Sequence, residues 1–332
     1  MPEQSRVGVI GAGNIGRHHI RNYSEMPETE LVAISDPDTK KTPELAEQYG
    51  VRYYKNYIDM LEDCELKAVS IAVPTLLHHE IASETITRGI HTLVEKPIAA
   101  TPEEALELID LAEQNGVILT VGHIERYNPV IDKLKAMIDS GQLGTILTVE
   151  SRRIGGFPLN EPKTDVMTDL AIHDVDIINY LLGTEGELRE ANGHRTHHST
   201  EIDSAEIVLD YNGVSGIILA NWITPVKIRE IIITGSKGYL KANYITQEIT
   251  LYEKMTIVDQ NTFEEFVDAF GEPDEHIIRP AKKEPMRRQL GAFALAVSGR
   301  NSELLVDPKD ALSALKVVIA AAEFIKDRKN GN

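Results

Sequence analysis

The chain has 332 residues, 42% of them hydrophobic, with a formal net charge of −18 and an isoelectric point near 5.1. This length predicts two domains, and the acidic balance argues against nucleic acid or an anionic membrane as a partner. The single cysteine, Cys64, excludes an intramolecular disulfide and a cluster of thiolate metal ligands. The first residues do not resemble a signal peptide, and the apolar stretch 314–322 is too short to cross a bilayer, so we expect a cytoplasmic protein.

Residues 1–122 alternate between short apolar strands and helices. The sequence predicts strands at 7–10, 31–35, 69–73, 92–94 and 117–121, and helices at 14–24, 77–88 and 102–114. The last of these helices begins with a capping box, in which Thr101 precedes Pro102 and Glu104. This alternation is typical of an α/β domain with a doubly wound parallel sheet that is covered on both faces.

The pattern changes after Gly122, where longer β-rich runs begin. The sequence predicts helices at 129–140, 169–182, 285–298 and 308–326, and strands at 146–152, 206–211, 216–222, 228–234, 239–241 and 249–252. Short turns such as Asn212-Gly213 indicate antiparallel pairing, and the acidic segment 259–285 is predicted as a loop with at most one short helix. We therefore predict an α+β domain with a large, mainly antiparallel sheet over residues 123–332.

The strands of this second domain carry apolar residues on both faces. Ile218 and Ala220, for example, alternate with Ile217 and Leu219. A sheet with one face in water would alternate apolar and polar residues. We therefore expect helices on one face and a second copy of the chain on the other, in a homo-oligomer.

A G-x-G-x-x-G motif follows the first strand directly and opens the first helix. In such a motif the glycines allow a tight turn and close approach to a pyrophosphate, which the helix N-terminus faces. Asp36 stands about 20 residues further on, at the end of the second strand, where a carboxylate accepts ribose hydroxyls and repels a 2′-phosphate. The sequence thus predicts NAD rather than NADP; the alternative is a glycine turn without a ligand. The predicted contacts are Gly11, Gly13, Asn14, Ile15, Gly16 and Asp36.

Pro74, Thr75 and His78 follow strand 69–73. In an open α/β sheet the cofactor lies along the carboxyl ends of the strands. All three residues are therefore predicted cofactor contacts, although His78 fits equally well as an ordinary residue at the start of a helix.

Glu95, Lys96 and Pro97 follow the next strand, where the nicotinamide end of the dinucleotide would lie. Removing hydride from an alcohol also requires removal of the hydroxyl proton and stabilisation of a developing alkoxide. Lys96 could serve as the base or as the stabilising cation, and both Glu95 and Lys96 are predicted to contact the cofactor. The alternative for Lys96 is a solvated lysine at a strand end.

The second half contains the run DLAIHDVD, residues 169–176. On a helix, Asp169 and His173 are four residues apart and share a face. A carboxylate one turn away can orient a histidine and support its charged form, so the pair could relay a proton. The alternative is a hydrogen-bonded core histidine. The spacing matches no standard set of metal ligands, and we expect no metal.

The combination of GAGNIG, Asp36, the Glu-Lys-Pro motif and Asp-x-x-x-His resembles the glucose–fructose oxidoreductase and inositol dehydrogenase family over nearly the whole chain. The resemblance implies a Rossmann domain joined to an α/β domain whose open sheet mediates dimers or tetramers. It also implies NAD(P)-dependent oxidation of sugars and polyols, with a cis peptide bond before Pro97. In this family Lys96 would assist catalysis, and His173 would take the hydroxyl proton while Asp169 and Lys96 tune it.

Within the family, GHIERYNP (122–129) and MTDLAIHDVDIINYLLG (167–183) look most like enzymes that oxidise the 3-hydroxyl of UDP-N-acetylglucosamine. A diphosphate would require cations, and the predicted substrate contacts are Lys96, Arg126, Arg153, Lys163, Asp169 and His173. The three cations beyond Lys96 could equally be surface or structural charges. A polyol or free-sugar dehydrogenase, such as an inositol dehydrogenase, and a dinucleotide-sensing regulator without turnover remain as alternatives.

Overall fold

The computed structural model describes residues 4–158, 164–197, 200–253, 275–300 and 304–330. The chain falls into two compact units, one of Met1–Tyr127 with Lys283–Lys316 and one of Asn128–Lys282 with Val317–Asn332. The sequence assigned residues 283–316 to the second domain. They group with the first because helix Pro285–Val297 packs on helix Asn14–Glu25 and on the short helical turn Ile124–Tyr127.

The first unit contains a six-stranded sheet in which every neighbouring pair is parallel. Its strands are β1 (Ser5–Ile10), β2 (Thr29–Ser35), β3 (Arg52–Tyr54), β4 (Ala68–Ile71), β5 (His91–Val94) and β6 (Leu119–Val121). Their spatial order is β3-β2-β1-β4-β5-β6, which confirms the predicted doubly wound fold. The order reverses between β1 and β4, and ligands of such folds bind outside the carboxyl ends of the strands at this reversal.

The helices of the first unit connect and cover these strands. They are α1 (Asn14–Glu25), α2 (Lys41–Tyr49), α3 (Tyr57–Asp63), α4 (His78–Thr87), α5 (Pro102–Asn115) and α8 (Pro285–Val297). The predicted cap of α5 is present, since the Thr101 hydroxyl accepts a hydrogen bond from the Glu104 amide at 3.2 Å. The Glu104 carboxylate accepts from the amide of Ala100, one residue before the cap, at 3.0 Å.

The core of the first unit lies between β1 and the helices packed on it. Val9, Tyr23 and Phe293, from β1, α1 and α8, are fully buried. Burying one large apolar side chain contributes about 1.5–3 kcal/mol. The central strands are apolar on both faces because helices cover both, as expected of a parallel sheet.

The second unit contains an eight-stranded sheet with the spatial order β14-β13-β12-β11-β7-β10-β9-β8. Its strands are β7 (Ile146–Ile154), β8 (Glu187–His194), β9 (Ser204–Tyr211), β10 (Val214–Asn221), β11 (Ile228–Gly235), β12 (Gly238–Asn243), β13 (Glu248–Glu253) and β14 (Glu275–Ile278). Among the strands that the structure describes, only β7 and β10 pair in parallel, so the sheet is mainly antiparallel, as predicted. Strand β14 corrects the predicted loop at 259–285, of which residues 259–274 lie outside the described part of the chain.

The remaining helices are α6 (Pro129–Asp139), α7 (Ile172–Leu182) and α9 (Pro308–Asn330). Helix α9 contributes residues up to Lys316 to the first unit and the following residues to the second. Across the described ranges, no helix combines the length and the apolar character needed to cross a membrane.

The two faces of the second sheet differ in exposure. Strands β9 and β10 form the predicted hairpin, with Asn212 and Gly213 at φ of 55° and 96° in the turn. Ile218 on one face is buried, whereas its neighbours Ile217 and Leu219 on the other face are only half-buried. One face is therefore covered within the chain, and the other keeps part of its apolar surface accessible.

Candidate functional site

The residues that the sequence predicts for the cofactor follow the carboxyl ends of the parallel strands. The glycine motif follows β1, Asp36 follows β2, Pro74 and Thr75 follow β4, and Glu95 and Lys96 follow β5. Parallel strands all end at the same edge of their sheet, so this edge of the first unit brings these residues together.

The glycine loop between β1 and α1 fits a dinucleotide. A side chain at Gly16 would put its Cβ 1.9 Å from the carbonyl oxygen of Gly11, so α1 could not begin this close to the loop with any other residue. Gly13 is different, because no described atom lies within 4 Å of the position its Cβ would take. An exposed backbone at the start of a helix offers N–H groups and room to a pyrophosphate.

Asp36 is fixed beside this loop by hydrogen bonds to both carboxylate oxygens. Its Oδ2 accepts from the amide of Ala12 at 2.7 Å, and its Oδ1 accepts from the amide of Asp38 at 2.8 Å. The hydroxyl of Tyr53 donates to the backbone carbonyl of Asp36 at 3.1 Å. Each carboxylate oxygen can accept a further bond, so a ribose hydroxyl could bind to a group that is already oriented.

His78, predicted either to contact the cofactor or to be an ordinary residue at the start of a helix, is the first residue of α4. The side chain is buried, with 1% exposure, and its Nδ1 and Nε2 lie 2.8 Å and 2.9 Å from the carbonyl oxygens of Pro97 and Val73. Burial lowers the pKa of His78 below its usual value. The ring is therefore held in the interior of the first unit, where it links the segments that follow β4 and β5. Pro74 remains exposed and Thr75 half-buried at the edge.

The segment after β5 has the predicted backbone geometry, since the Lys96–Pro97 peptide is cis. Glu95 and Lys96 are half-buried. The Glu95 carboxylate lies 3.0 Å from Nε2 of His19, which reaches it from α1. The sequence analysis missed His19. Its spacing from Gly16 and Tyr23, three and four residues away, would have placed it on the buried face of α1.

Asp169 and His173 lie in the second unit, and both are half-buried. The predicted single helix over 169–182 is in fact a π-helical turn, Met167–Ala171, that carries Asp169 and continues into α7 with His173. Asp165 starts this turn, because its carboxylate accepts from the amides of Met167 and Thr168 at 2.8 Å and 3.0 Å. Such π-helical turns occur frequently at functional sites.

The cations that were predicted to bind an anionic substrate have structural partners. Arg153 is buried and donates two hydrogen bonds to Asp174, at 2.9 Å and 3.0 Å, so its charge is used inside the second unit. Arg126 pairs with Asp310 at 2.8 Å, with its side chain 10% exposed. Both arginines thus have the structural role that the sequence left open, and their contact with a substrate stays a prediction, whereas Lys163 lies outside the described residues. Within the described ranges, no group of His, Cys, Asp and Glu could hold a metal ion.

Comparison with known proteins agrees with this geometry. Residues 5–123 match the oxidoreductase family with an NAD-binding Rossmann fold, and residues 131–241 match the GFO/IDH/MocA C-terminal domain. The chain belongs to this family. It is an NAD-dependent oxidoreductase of the dehydrogenase class that acts on CH–OH groups, as the resemblance implied.

Its relatives include enzymes with different substrates. The chain is 28% identical to the UDP-N-acetylglucosamine 3-dehydrogenase of Acidithiobacillus ferrooxidans, over 75% of this chain and 77% of that protein. It is 29% identical to the scyllo-inositol 2-dehydrogenase (NAD(+)) of Bacillus subtilis, over 68% and 69%. A solved structure of the Acidithiobacillus enzyme is similar over 98% of this chain and 99% of that chain, with a TM-score of 0.83 and 23% identity.

Proposed function

We propose that the protein oxidises a secondary hydroxyl of a sugar, polyol or sugar derivative to a ketone. The observation that carries this proposal is the position of Lys96, which follows the parallel strand next to β4, at the edge where the glycine loop and Asp36 also lie. A cation at this edge can stabilise an alkoxide next to a nicotinamide.

The proposed roles account for every atom of the reaction. Bound NAD would supply the acceptor for the hydride that leaves the carbinol carbon. The Lys96 ammonium stabilises negative charge on the oxygen while the C–O bond becomes C=O. His173 takes the hydroxyl proton, and Asp169 orients the imidazole and supports its charged form. Asp36 binds the adenosine ribose, and the backbone at Gly13 binds the pyrophosphate.

For the substrate, we propose the 3-hydroxyl of UDP-N-acetylglucosamine. The support is the resemblance of residues 122–129 and 167–183 to enzymes of that specificity and the similarity to the Acidithiobacillus enzyme. The internal partners of Arg126 and Arg153 weigh against a cluster of cations for the diphosphate. The similarity to a scyllo-inositol dehydrogenase supports a polyol as the second candidate.

The test is an assay of the purified protein with NAD and, separately, UDP-N-acetylglucosamine, myo-inositol and glucose, following the absorbance of reduced nicotinamide. Reduction with the nucleotide sugar alone would support the specific proposal. Reduction with inositol or glucose would retain the mechanism and replace the substrate. In the active assay, Lys96→Met should lower turnover by about 10²–10⁴-fold. NAD binding without reduction of any of the three would contradict the substrate proposal and direct the search to other sugars and polyols.

We also propose that the half-exposed face of the second sheet binds another copy of the chain, in a homodimer or homotetramer. Ile217 and Leu219 lie on this face beside an ion pair between Lys241 and Glu230 (2.7 Å), which Arg152 approaches at 3.4 Å. Such a mixture of apolar residues and paired charges is common in interfaces.

Light scattering tests this proposal directly. The protein should have an oligomeric mass at micromolar concentration, and Ile217→Lys should lower that mass toward that of one chain. Ile245→Lys, at an exposed position between β12 and β13, serves as the control and should leave the mass unchanged. A monomeric mass for the unsubstituted protein would contradict the proposal.

A further inference from the structure

Two buried histidines contact the segment 95–97 from different helices. His19 on α1 contacts the side chain of Glu95, and His78 at the start of α4 contacts the backbone carbonyl of Pro97. Both imidazoles are enclosed, with 0% and 1% exposure. Lys96 lies between the two contacted residues. We propose that His19 and His78 are positioning residues that fix the direction in which the Lys96 side chain leaves the backbone.

His78 acts on the backbone on the C-terminal side of Lys96. Its two ring nitrogens lie within hydrogen-bond distance of carbonyl oxygens, which only accept, so the neutral ring donates to one of them and contacts the other. Val73 lies after β4 and Pro97 after β5, so a single rigid ring joins the ends of two adjacent strands. The cis peptide before Pro97 is thereby held in place relative to β4.

His19 acts on the N-terminal side of Lys96. A carboxylate only accepts hydrogen bonds, so Nε2 of His19 must carry the proton that is shared with Glu95. The described residues offer His19 Nδ1 no hydrogen-bond partner, so the contact with Glu95 orients the ring. In turn, this hydrogen bond sets the rotamer of Glu95.

Gly122, the residue directly after β6, limits the positions that the Glu95 carboxylate can take. A Cβ at this position would lie 2.6 Å from Glu95 Oε1, so the carboxylate occupies the space that the missing side chain leaves. Glu95 is therefore held between His19 and the backbone after β6. Glu95 is bonded directly to Lys96, so holding the Glu95 side chain limits how far the backbone that carries the Lys96 side chain can move.

The chain supplies a matched control for each histidine. His18 precedes His19 and is exposed. His79 follows His78, keeps 31% of its side chain exposed and pairs with Glu107 at the surface. A His→Gln substitution at each of the four positions makes the same chemical change, and only those at His19 and His78 alter a contact with the segment 95–97.

The inference rests on the proposed catalytic role of Lys96. Two measurements distinguish a failure of the inference from a failure of that role. With a substrate that is turned over, His19→Gln and His78→Gln should lower kcat by up to about 100-fold, the effect of a 1 Å displacement of a reacting group. The NAD dissociation constant and KM should change little.

The second measurement is the acylation rate of Lys96 by an amine-reactive ester, followed by mass spectrometry of its peptide. This rate should change in the same two variants and stay unchanged in His18→Gln and His79→Gln.

The outcomes are distinct. If Lys96→Met abolishes turnover while all four histidine variants match the unsubstituted protein in kcat and in Lys96 acylation, the positioning inference is wrong and the proposed function stands. If Lys96→Met retains turnover, the proposed function fails, and altered acylation in the His19 and His78 variants would still support positioning. If either of these variants does not fold, Gly122→Ala displaces the Glu95 carboxylate while keeping both histidines. It should lower kcat and alter Lys96 acylation, and unchanged values for both would overturn the inference.

Discussion

The two sheets of this chain place their functional residues differently. In the first, all strands run parallel, helices cover both faces, and the residues with chemical roles follow the strand ends along one edge. In the second, all strand pairs within the described ranges but one are antiparallel, and one face keeps half-buried apolar residues beside ion pairs. Parallel strands need crossover helices that bury both faces, whereas hairpins leave a face free. An edge suits a small ligand, and a face suits a protein partner.

The units also differ in how they hold buried polar groups. The first uses two histidines against a carboxylate and two carbonyl oxygens. The second uses a buried ion pair between Arg153 and Asp174, and Arg153 also lies over the ring of Tyr244, at 5.4 Å from its centroid. Removing one member of the ion pair should therefore lower the free energy of unfolding more than removing one of the two histidines.

The largest expected effect on stability is that of breaking the buried ion pair. Asp174→Asn removes the negative charge that accepts two hydrogen bonds from the buried Arg153 guanidinium, which should lower the free energy of unfolding by about 3–5 kcal/mol. Asp210→Asn is the matched control, because Asp210 pairs with the half-exposed Arg189 at 2.7 Å and such surface pairs contribute about 0.2–1 kcal/mol. Denaturant unfolding of both variants would measure the difference, and equal losses would contradict it.

A smaller loss of stability should distinguish Gly16 from Gly13 in the loop between β1 and α1. Gly16→Ala forces a Cβ against the Gly11 carbonyl and should destabilise the protein by about 1–3 kcal/mol. Gly13→Ala has open space around it, so it should leave stability nearly unchanged and weaken NAD binding instead. Thermal unfolding with and without NAD measures both effects. A Gly13→Ala variant that binds NAD normally would show that the pyrophosphate lies elsewhere.

The smallest effect concerns pH. Burial lowers the pKa of His78 in the folded state below the value of about 6.5 in an unfolded chain. The stability that the neutral, buried ring contributes is therefore present above this unfolded value and is lost as the pH falls through the folded pKa. The stability difference between the unsubstituted protein and His78→Asn should accordingly shrink on acidification. A difference that grows at acidic pH would contradict this sign.

Much of the fold followed from local patterns in the sequence. The G-x-G-x-x-G turn, the cap at Thr101 and the Asn212-Gly213 hairpin each depend on residues close together in the chain. Helices α2 and α3 and strand β3 escaped prediction because they are too short, at nine, seven and three residues, to show a clear hydrophobic period. Strand β14 was missed because its residues, EHII, lie in an acidic, weakly patterned segment.

The site was less accessible to sequence reasoning, since its decisive contacts join distant residues. His19 and Glu95 are 76 residues apart, and Arg153 and Asp174 are 21 apart. A candidate cation cannot be distinguished from the partner of a buried carboxylate by its spacing alone. The motif at 95–97, in contrast, predicted its cis peptide correctly because it resembles a whole family.

The central proposal is that Lys96 and His173 take part in the same reaction, Lys96 as the stabilising cation and His173 as the proton acceptor. A double-mutant cycle in kcat/KM, with Lys96→Met, His173→Gln and the double variant, tests it most directly. Residues that act as a unit are strongly non-additive, so the double variant should be about as slow as the slower single variant. Losses that multiply would mean that the two residues act independently, and would contradict the account.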